Sequence, residues 1–366
     1  NISITESNLT FTGSFETISF PNASMKESDF VPLCDESTLN LNELTEKQCG
    51  LVSLAACRAL LPKTPKVMLV VIDGLRPDVL ATTDTPNFDK IKNSALYSDT
   101  VRMGYPTISG NGWTSILTGT RSDKHGVINN KENHFNVYAN SERKTLYPVL
   151  PAIIESHDTE LNTASFVKWP KINQYLNRFA VDEFNIKNNE ASGLGIEGKI
   201  TKLADEDQDV IDVSIGKLSQ GNPDFLFVGL NGVDSAGHDH GFRANIPEYV
   251  SAIKKVDGWI GDLAAAVKAR KEYVNEDWLV IVSTDHGGGA GKATKHDELQ
   301  SIDEANGLVN STIFIYASRD GQAPEQLVGL RQVDIAPTVL QHLGITIPEH
   351  YEGTALQQVQ TESQMD

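Results

Sequence analysis

The chain has 366 residues and a formal net charge of −18 at pH 7. Such an acidic balance argues against nucleic acid or an anionic membrane as a docking surface. No apolar run approaches the ~20 residues that a membrane span requires, so none is predicted, and the length suffices for one large α/β domain with a full core.

Residues 1–63 are predicted to form an N-terminal extension that packs on a catalytic core. Within it, the run LTEKQCGLVSLAACRALL has the spacing of a helix that leads into the first core strand. All cysteines of the chain lie in this extension: Cys34, Cys49 and Cys57. They are compatible either with one local disulfide and one remaining thiol or with three buried thiols.

Four N-x-[ST] sequons occur in the chain, at Asn1, Asn8, Asn22 and Asn310. The sequence starts without Met, as it would after removal of a signal peptide. Together with the clustered cysteines, these features predict a secreted glycoprotein that works outside the cell or in the periplasm.

Three apolar runs of the chain each lead to an aspartate. Asp73 closes PKVMLVVID, Asp234 closes DFLFVGLNGVD, and Asp285 follows WLVIVST. Apolar, β-branched runs are typical of buried parallel strands, and ligands bind beyond the carboxyl ends of such strands. Strand–helix alternation over 221–350 favours a parallel sheet between helices, within a catalytic domain that covers 64–353.

Two segments of this region are less regular. Residues 175–220 are more charged and have helical spacing near their end. We interpret them as a crossover connection, with a small lid over the site as the alternative. Residues 354–366 form a polar tail that is predicted to fray.

Three histidines accompany the aspartates at the strand ends. His238 lies four residues after Asp234. His286 directly follows Asp285, and His296 lies ten residues further on in a glycine-rich loop. Carboxylate and imidazole are the ligands of open zinc sites, and six of them suffice for two ions. Two such ions can hold both the attacking and the leaving oxygen of a displacement at phosphorus.

These residues lie in motifs that resemble those of the alkaline phosphatase superfamily, which includes alkaline phosphatases, nucleotide pyrophosphatase/phosphodiesterases and sulfatases. The motifs extend over residues 64–350: VVIDGLRPD, TPNFDKI, SGNGWTSILTGTRSDKHGV, VDSAGHDHG, TDHGGG followed by a histidine, and VDIAPTVLQHLG. The resemblance implies an alkaline phosphatase-like three-layer α/β sandwich, in which helices flank a mostly parallel sheet. It also implies a metal-dependent hydrolase whose substrate is a small phosphate ester.

The resemblance further implies how two zinc ions are held. The six ligands divide into two sets, Asp234, His238 and His296 for one ion and Asp73, Asp285 and His286 for the other. His240 and His350 are the alternatives to His296. Carboxylate-rich sites also accept Mn²⁺ or Co²⁺, and some alkaline phosphatases hold a third ion, Mg²⁺, for which no residues are assigned here.

A hydroxyl lies in the register that the family uses for its nucleophile, ten residues before the glycine of a TG pair. Counting back from Gly119 leads to Ser109, and Thr107 is the alternative. Metal coordination would activate this hydroxyl, which would attack phosphorus and form a phosphoseryl enzyme. A helix that begins near Ser109 would direct backbone N–H groups at the phosphoryl oxygens. The Pro and Arg of the sulfatase C-x-P-x-R motif do not follow Ser109, so sulfate ester hydrolysis is not predicted.

Two further side chains bear on the choice between monoesters and diesters. Nucleotide pyrophosphatases typically have an Asn three residues after the nucleophile, where this chain has Gly112. Asn111 is one residue short, although its amide could still donate to a phosphoryl oxygen. Lys168, with Lys171 behind it, is predicted to offer the cation that a monoester dianion favours. The alternative interpretation of Lys168 is an exposed lysine at a strand end.

The sequence therefore predicts a secreted, zinc-dependent phosphomonoesterase that acts through a phosphoserine intermediate at Ser109. A phosphodiesterase or nucleotide pyrophosphatase with the same two-metal site is the alternative. Two other classes are disfavoured. The complete ligand set argues against a non-catalytic binding protein on a degenerate phosphatase fold, and the sequons argue against an intracellular phosphomutase.

Overall fold

The computed structural model describes the side chains of residues 63–131, 134–135, 146–177, 207–289 and 309–359. For a few further segments it describes the backbone alone: 2–5, 8–11, 17–20, 23–26, 39–40, 182–185, 190–192 and residue 206. The predicted N-terminal helix, the three cysteines, the sequons at Asn1 and Asn22, and His296 lie outside the described residues.

The chain divides into two compact units, residues 1–64 with 271–277 and residues 65–270 with 278–366. The strands of the first unit are β1 Ile2–Thr5, β2 Asn8–Phe11, β3 Thr17–Phe20, β4 Ala23–Lys26 and β5 Leu39–Asn40. They form a three-stranded antiparallel sheet in the order β1–β2–β5 and a β3–β4 hairpin. A 3₁₀ turn covers Tyr273–Asn275.

A nine-stranded mixed sheet is the basis of the second unit. Its strands are β6 Thr64–Ile72, β7 Ala95–Arg102, β8 Thr163–Val167, β9 Asp182–Asn185, β10 Glu190–Ser192, β11 Phe225–Leu230, β12 Glu276–Thr284, β13 Thr312–Arg319 and β14 Glu325–Gln326. Their order across the sheet is β10–β9–β8–β11–β6–β12–β13–β7–β14. Strands β9, β8, β11 and β6 run parallel, whereas β13 is antiparallel to β12 and β7.

Nine helices accompany this sheet in the described part of the chain. They are α1 Pro77–Leu80, α2 Pro86–Lys92, α3 Ser109–Thr118, α4 Ser122–His125, α5 Leu150–His157, α6 Glu206–Gln220, α7 Gly232–His240, α8 Pro247–Lys268 and α9 Ile335–His342. A π-helical turn covers Ile172–Leu176, and 3₁₀ turns cover Gln332–Asp334 and Leu356–Gln358.

The burial of the central strands explains their sequence. All residues of β11 and the last seven of β6 are buried. A strand that is covered on both faces needs apolar residues at every position rather than at alternate ones. The longest helix, α8, instead buries residues three to four apart, such as Tyr249, Ile253 and Val256. The predicted α/β architecture, a mostly parallel sheet flanked by helices, is confirmed.

One motif of the predicted family has a structural role. In TPNFDKI, the backbone N–H groups of Asn87 and Phe88 both donate to Asp257 Oδ1 on α8, each at 2.9 Å. The Asn87 side chain donates to Asp257 Oδ2 at 3.1 Å. The buried carboxylate therefore satisfies the first N–H groups of α2 and joins α2 to α8.

The structure refines two predicted segments. Within 175–220, the helical spacing near the end corresponds to α6, and the proposed lid stays a prediction. The polar tail begins later than predicted, because Ala355 and Leu356 are buried. The Leu356 N–H donates to Thr338 Oγ1 at 2.9 Å, so the chain is still packed after residue 353.

Candidate active site

The three strand-end aspartates meet at one edge of the sheet. Asp73 directly follows β6, and Asp285 directly follows β12. Asp234 lies in the first turn of α7, which follows β11. The Asp73 N–H donates to Leu230 O, the last residue of β11, at 2.8 Å. Since all three aspartates are at most 7% exposed, the edge where the apolar strands end carries a concentration of buried negative charge.

Asp73, Asp285 and His286 form a compact cluster in which one ligand atom of each lies within 4.8 Å of the others. His286 Nε2 is 3.2 Å from Asp73 Oδ1 and 3.5 Å from Asp285 Oδ2. Ser109 Oγ lies 3.2 Å from the same nitrogen. The structure thus brings together the three residues predicted for one ion and the predicted nucleophile.

Each carboxylate of the cluster has one oxygen held by the protein. Asp285 Oδ1 accepts two backbone N–H bonds, at 2.8 and 3.1 Å. Asp73 Oδ2 accepts from Asn231 Nδ2 at 2.8 Å and from Trp113 Nε1 at 3.4 Å. The other oxygens, Asp73 Oδ1 and Asp285 Oδ2, are buried without a hydrogen-bond donor. Because buried acceptors need a positive partner, and this donor set suits zinc, the cluster fits a divalent cation.

The charges in the cluster determine how its groups titrate. Burial, followed by the neighbouring charge of Asp73, raises the pKa of Asp285 well above its ordinary value. Burial alone would lower the pKa of His286, but the carboxylates of Asp285 and Asp73 raise it to about 10. The two carboxylates therefore favour a positive charge between them, which either an imidazolium or a metal ion can supply.

Asp234 and His238, two ligands of the other predicted set, lie one turn apart on α7. His238 Nε2 is 3.2 Å from Asp234 Oδ2, and its ring packs edge-on against Phe242. A Cβ atom at Gly74 would lie 2.5 Å from Asp234 Oδ1, and Gly74 has a φ of +67°. Only glycine therefore allows the chain that follows Asp73 to pass beside Asp234.

The third residue of this set, His296, lies outside the described residues. Its alternative His240 is exposed at the end of α7. The other alternative, His350, packs against the rings of Tyr147 and Tyr351, with centroid distances of 5.6 and 5.2 Å. The assignment of His296 stays a prediction.

Ser109 is the first residue of α3, where the chain changes from extended at Ile108 to helical. Only 6% of Ser109 is exposed. The next residue, Gly110, donates its N–H to Asn130 Oδ1 at 2.7 Å. All ten residues of α3 are buried, so the predicted nucleophile is presented by a rigid element.

Thr107, the alternative nucleophile, is hydrogen-bonded to Asn310. Its Oγ1 accepts a hydrogen bond of 2.7 Å from Asn310 Nδ2. Asn310 is 1% exposed, so its side-chain nitrogen is not presented to solvent. The sequon at this position is therefore buried in the folded chain, and glycosylation stays a prediction.

A cavity of about 230 Å³ adjoins Ser109. Its lining includes residues from both predicted ligand sets: Asp73, Ser109, Asn130, Trp169, Lys171, Asn231, Asp234 and His238. The two sets and the nucleophile therefore share one site. Asn130, Trp169 and Asn231 were not predicted, and Lys171 was considered only as a neighbour of Lys168.

Lys171 is the lysine that lines this cavity. Its Nζ donates to Asn130 O at 2.6 Å and lies 5.7 Å from the centroid of the Trp169 ring. Lys168 follows β8 directly and interacts by charge with the buried carboxylate of Asp207. The cavity lining thus includes Lys171 and not Lys168, the lysine predicted to contact the phosphoryl group.

Asn111 lies away from the cavity, which differs from the prediction. The residue is fully buried, and its Nδ2 donates to Gly104 O at 2.9 Å and Pro106 O at 2.7 Å. Its Oδ1 accepts from Ser115 Oγ at 3.1 Å. Residues two apart on a helix do not face the same direction, so Asn111 and Ser109 diverge. Asn111 stabilises the loop before the nucleophile instead.

Asn231 and Asn130 are the polar residues that sequence reasoning missed. Asn231 follows the end of β11 and lies three residues before Asp234, so its strand-end position was a usable signal. Asn130 lies in the loop 126–131, whose sequence has no periodicity. Its contact with Gly110 depends on the path of that loop, which the sequence alone does not reveal.

Comparison with known proteins identifies the family. Residues 67–335 match the model of type I phosphodiesterase / nucleotide pyrophosphatase. The chain belongs to this family. A Mus musculus relative, ectonucleotide pyrophosphatase/phosphodiesterase family member 1, is 26% identical over 282 residues, which cover 74% of this chain and 29% of the relative. Venom phosphodiesterase 2 of Crotalus adamanteus is 24% identical over 307 residues, which cover 81% of this chain and 34% of that protein. The chain thus spans about a third or less of these relatives.

Solved structures agree on the fold. Murine ectonucleotide pyrophosphatase/phosphodiesterase 5, an inactive form in complex with AMP, superposes with a TM-score of 0.53 at 15% identity, covering 79% of this chain and 97% of that one. An alkaline phosphatase superfamily protein from Vibrio parahaemolyticus has a TM-score of 0.58 at 14% identity, with coverages of 82% and 71%. The predicted resemblance to the alkaline phosphatase superfamily is confirmed.

The family bears directly on the predicted activity. The family consists of phosphoric ester hydrolases within a metal-dependent superfamily, which agrees with the predicted class of enzyme. Phosphomonoester hydrolysis, the preferred interpretation of the sequence, is not confirmed, and the phosphodiesterase alternative fits the family better. Within the described residues, every helix is too short or too polar to cross a membrane.

Proposed function

We propose that this protein is a divalent-metal-dependent phosphodiesterase that cleaves small phosphodiesters or nucleotide pyrophosphates, with Ser109 as nucleophile. The observation that carries this proposal is the convergence of Ser109 Oγ, Asp73 Oδ1 and Asp285 Oδ2 on His286 Nε2, beside the cavity of about 230 Å³. Membership of the phosphodiesterase family supports the same activity.

We assign two ions to the site and propose Zn²⁺ for both. Asp73, Asp285 and His286 would hold one ion, and Asp234 and His238 would hold the other together with His296. Carboxylate and imidazole ligands in sets of three are typical of catalytic zinc. When bound, the ions would supply the positive charge that lowers the pKa of the Ser109 hydroxyl and balances the charge on the phosphoryl oxygens.

The protein's own groups define the two chemical steps. In the first step, Ser109 Oγ would form a bond to phosphorus while the bond to the leaving-group oxygen breaks, and the leaving group departs with a proton. In the second step, a water oxygen would replace Oγ on phosphorus, and Ser109 would regain its proton. The rigid start of α3 would hold Oγ in the orientation required for attack.

The cavity also offers groups that would bind the phosphoryl oxygens. Asn130 Oδ1 accepts from Gly110 N–H, so the Asn130 amide group has its Nδ2 hydrogens left as donors. Lys171 Nζ donates one hydrogen bond to Asn130 O. No carboxylate among the described residues pairs with Lys171, so its ammonium group would be available to an anionic substrate.

The surroundings of Lys171 favour a diester over a monoester. Trp169 lies beside it and lines the same cavity. An aromatic ring next to the reacting phosphorus would pack against the second substituent that a diester has and a monoester lacks. Lys168, the cation on which the monoester interpretation depended, interacts with Asp207 instead.

An extracellular or periplasmic location remains part of the proposal. The acidic composition and the clustered cysteines of the N-terminal extension support it. The curated relatives include an ectonucleotide enzyme and a venom enzyme, which is consistent with work outside the cell.

The test compares kcat/KM for bis-p-nitrophenyl phosphate and for p-nitrophenyl phosphate on one zinc-replete sample, with a chelator-treated control. We expect a higher kcat/KM for the diester and loss of both activities in the chelator. A higher kcat/KM for the monoester would favour the alkaline phosphatase interpretation. Turnover that persists in the chelator would refute the metal-dependent site.

A further inference from the structure

Asp207 is a fully buried carboxylate that the proposed mechanism does not use. It lies in the first turn of α6. Its Oδ1 accepts from the Asn231 N–H at 3.1 Å, and its Oδ2 accepts from the Gly232 N–H at 2.7 Å. The carboxylate therefore holds the chain at the point where β11 passes into α7.

Asn231 connects Asp207 to the cluster of Asp73, Asp285 and His286. Its backbone N–H is bound by Asp207, while its side-chain Nδ2 donates to Asp73 Oδ2 at 2.8 Å. The second oxygen of that carboxylate, Asp73 Oδ1, lies 3.2 Å from His286 Nε2. Because Oδ2 is held by Asn231, the carboxylate cannot rotate freely, and Oδ1 is kept on the side of His286.

The contact between Asp207 and the turn is close and charged. A Cβ atom at Gly232 would lie 2.5 Å from Asp207 Oδ2, so the approach requires glycine there. Burial raises the pKa of Asp207, and the charge of Lys168 acts in the opposite direction. Lys168 therefore offsets part of the cost of burying a carboxylate at this position, which gives this lysine a role away from the cavity.

We propose that Asp207 is a positioning residue of the metal centre. Through Asn231 it fixes the orientation of the Asp73 carboxylate and so determines how tightly one ion is bound. The inference rests on the proposed metal-dependent function, because it requires Asp73 to be a ligand. Groups that orient a metal ligand by hydrogen bonding, without contacting the ion, typically contribute about 10–100-fold to metal affinity.

The experiment measures Zn²⁺ affinity by competition with a chromophoric chelator, on the whole chain and on its Asp207→Asn and Asn231→Ala variants. Asp207→Asn keeps the shape of the side chain but turns one acceptor into a donor that faces a backbone N–H. We expect the affinity for one of the two ions to fall about 10–100-fold in each variant. In the double variant we expect only the loss of Asn231→Ala, because the two residues act in series.

Asp212→Asn is the matched control, since Asp212 lies on the same helix, is exposed, and accepts a hydrogen bond from Gln208. It is expected to bind Zn²⁺ like the wild type. Thermal unfolding of the metal-free proteins separates positioning from general stability, because a purely structural residue would lower the Tm and leave affinity unchanged.

Wild-type affinity in Asp207→Asn, or additive losses in the double variant, would overturn the inference. Should Asp207→Asn fail to fold, Asn231→Ala alone must show the loss, and wild-type affinity in that variant would overturn the inference equally. A wild-type protein that binds no Zn²⁺ would refute the proposed function instead. Failure of the proposed function and failure of the inference about Asp207 are therefore distinguishable.

Discussion

Replacing Gly112 with alanine tests whether α3 packs directly on the cluster of Asp73, Asp285 and His286. A Cβ atom at Gly112 would lie 2.4 Å from Asp285 O and 3.0 Å from Asp285 C and Cβ. Ordinary contact begins at 3.4 Å, so the helix and the loop after β12 must separate by about 1 Å (3.4 minus 2.4). Two of these atoms, Asp285 O and C, belong to the backbone, which cannot move aside by changing a side-chain rotamer.

Two effects of opposite sign contribute to the free energy of unfolding. Alanine is favoured over glycine inside a helix by about 1 kcal/mol, whereas overpacking costs about 1–3 kcal/mol. We expect a net destabilisation of up to about 2 kcal/mol. Ser109 lies three residues earlier on the same helix, so the displacement also moves Oγ relative to His286. A misplacement of about 1 Å can lower kcat/KM by about 10²-fold.

Urea unfolding of the metal-free protein and kcat/KM for bis-p-nitrophenyl phosphate measure the two effects. Gly258→Ala is the matched control, because Gly258 lies inside α8 with nothing within 4 Å of the added Cβ. We expect that control to stabilise the protein by about 0.5–1 kcal/mol and to leave activity unchanged. If Gly112→Ala were as stable and as active as the control, the direct packing of α3 on Asp285 would be refuted.

Three further predictions concern capping, protons and charge. Asp257→Ala removes the carboxylate that binds the N–H groups of Asn87 and Phe88. It should lower the free energy of urea unfolding by about 1–2 kcal/mol at unchanged kcat/KM, and reduced activity with normal stability would contradict a purely structural role. Binding of Zn²⁺ at pH 7 should release a proton from His286, because a pKa of about 10 keeps the imidazole protonated at pH 7. The apparent affinity for Zn²⁺ should therefore fall as the pH falls. Calorimetry in buffers of different ionisation enthalpy measures the number of protons released when Zn²⁺ binds. Binding without proton release would contradict the geometry of the cluster. Lys171→Met keeps most of the side-chain length without its charge, and it should lower kcat/KM for diesters by about 10-fold. An unchanged kcat/KM in steady-state assays would show that Lys171 faces away from the substrate.

The convergence of the proposed metal ligands at the strand ends could be predicted because two simple patterns coincide there. An apolar run predicts a buried strand, and the carboxyl ends of neighbouring parallel strands meet at one edge of the sheet. Asp73, Asp234 and Asp285 therefore had to lie close together. The spacing of Asp234 and His238, four residues apart on a helix, likewise predicts a shared face.

The rest of the site depends on the paths of loops, which have no such periodicity. Lys168 and Lys171 are three residues apart on either side of the turn after β8, and only the structure shows which of them lines the cavity. Asn111 could have been assigned correctly, since a residue two positions after Ser109 on a helix points elsewhere. The proposed preference for diesters rests on Trp169 and its neighbours, which carry no recognisable motif.

The most direct test of the proposed mechanism is to identify the residue that becomes covalently modified during turnover. The zinc-replete enzyme would be mixed with bis-p-nitrophenyl phosphate, quenched in acid within the first turnover, and digested for peptide mass spectrometry. We expect a p-nitrophenyl phosphate adduct on Ser109, absent from the chelator-treated enzyme and from Ser109→Ala. An adduct on Thr107, or diester turnover that persists in Ser109→Ala, would contradict the role of Ser109 as nucleophile.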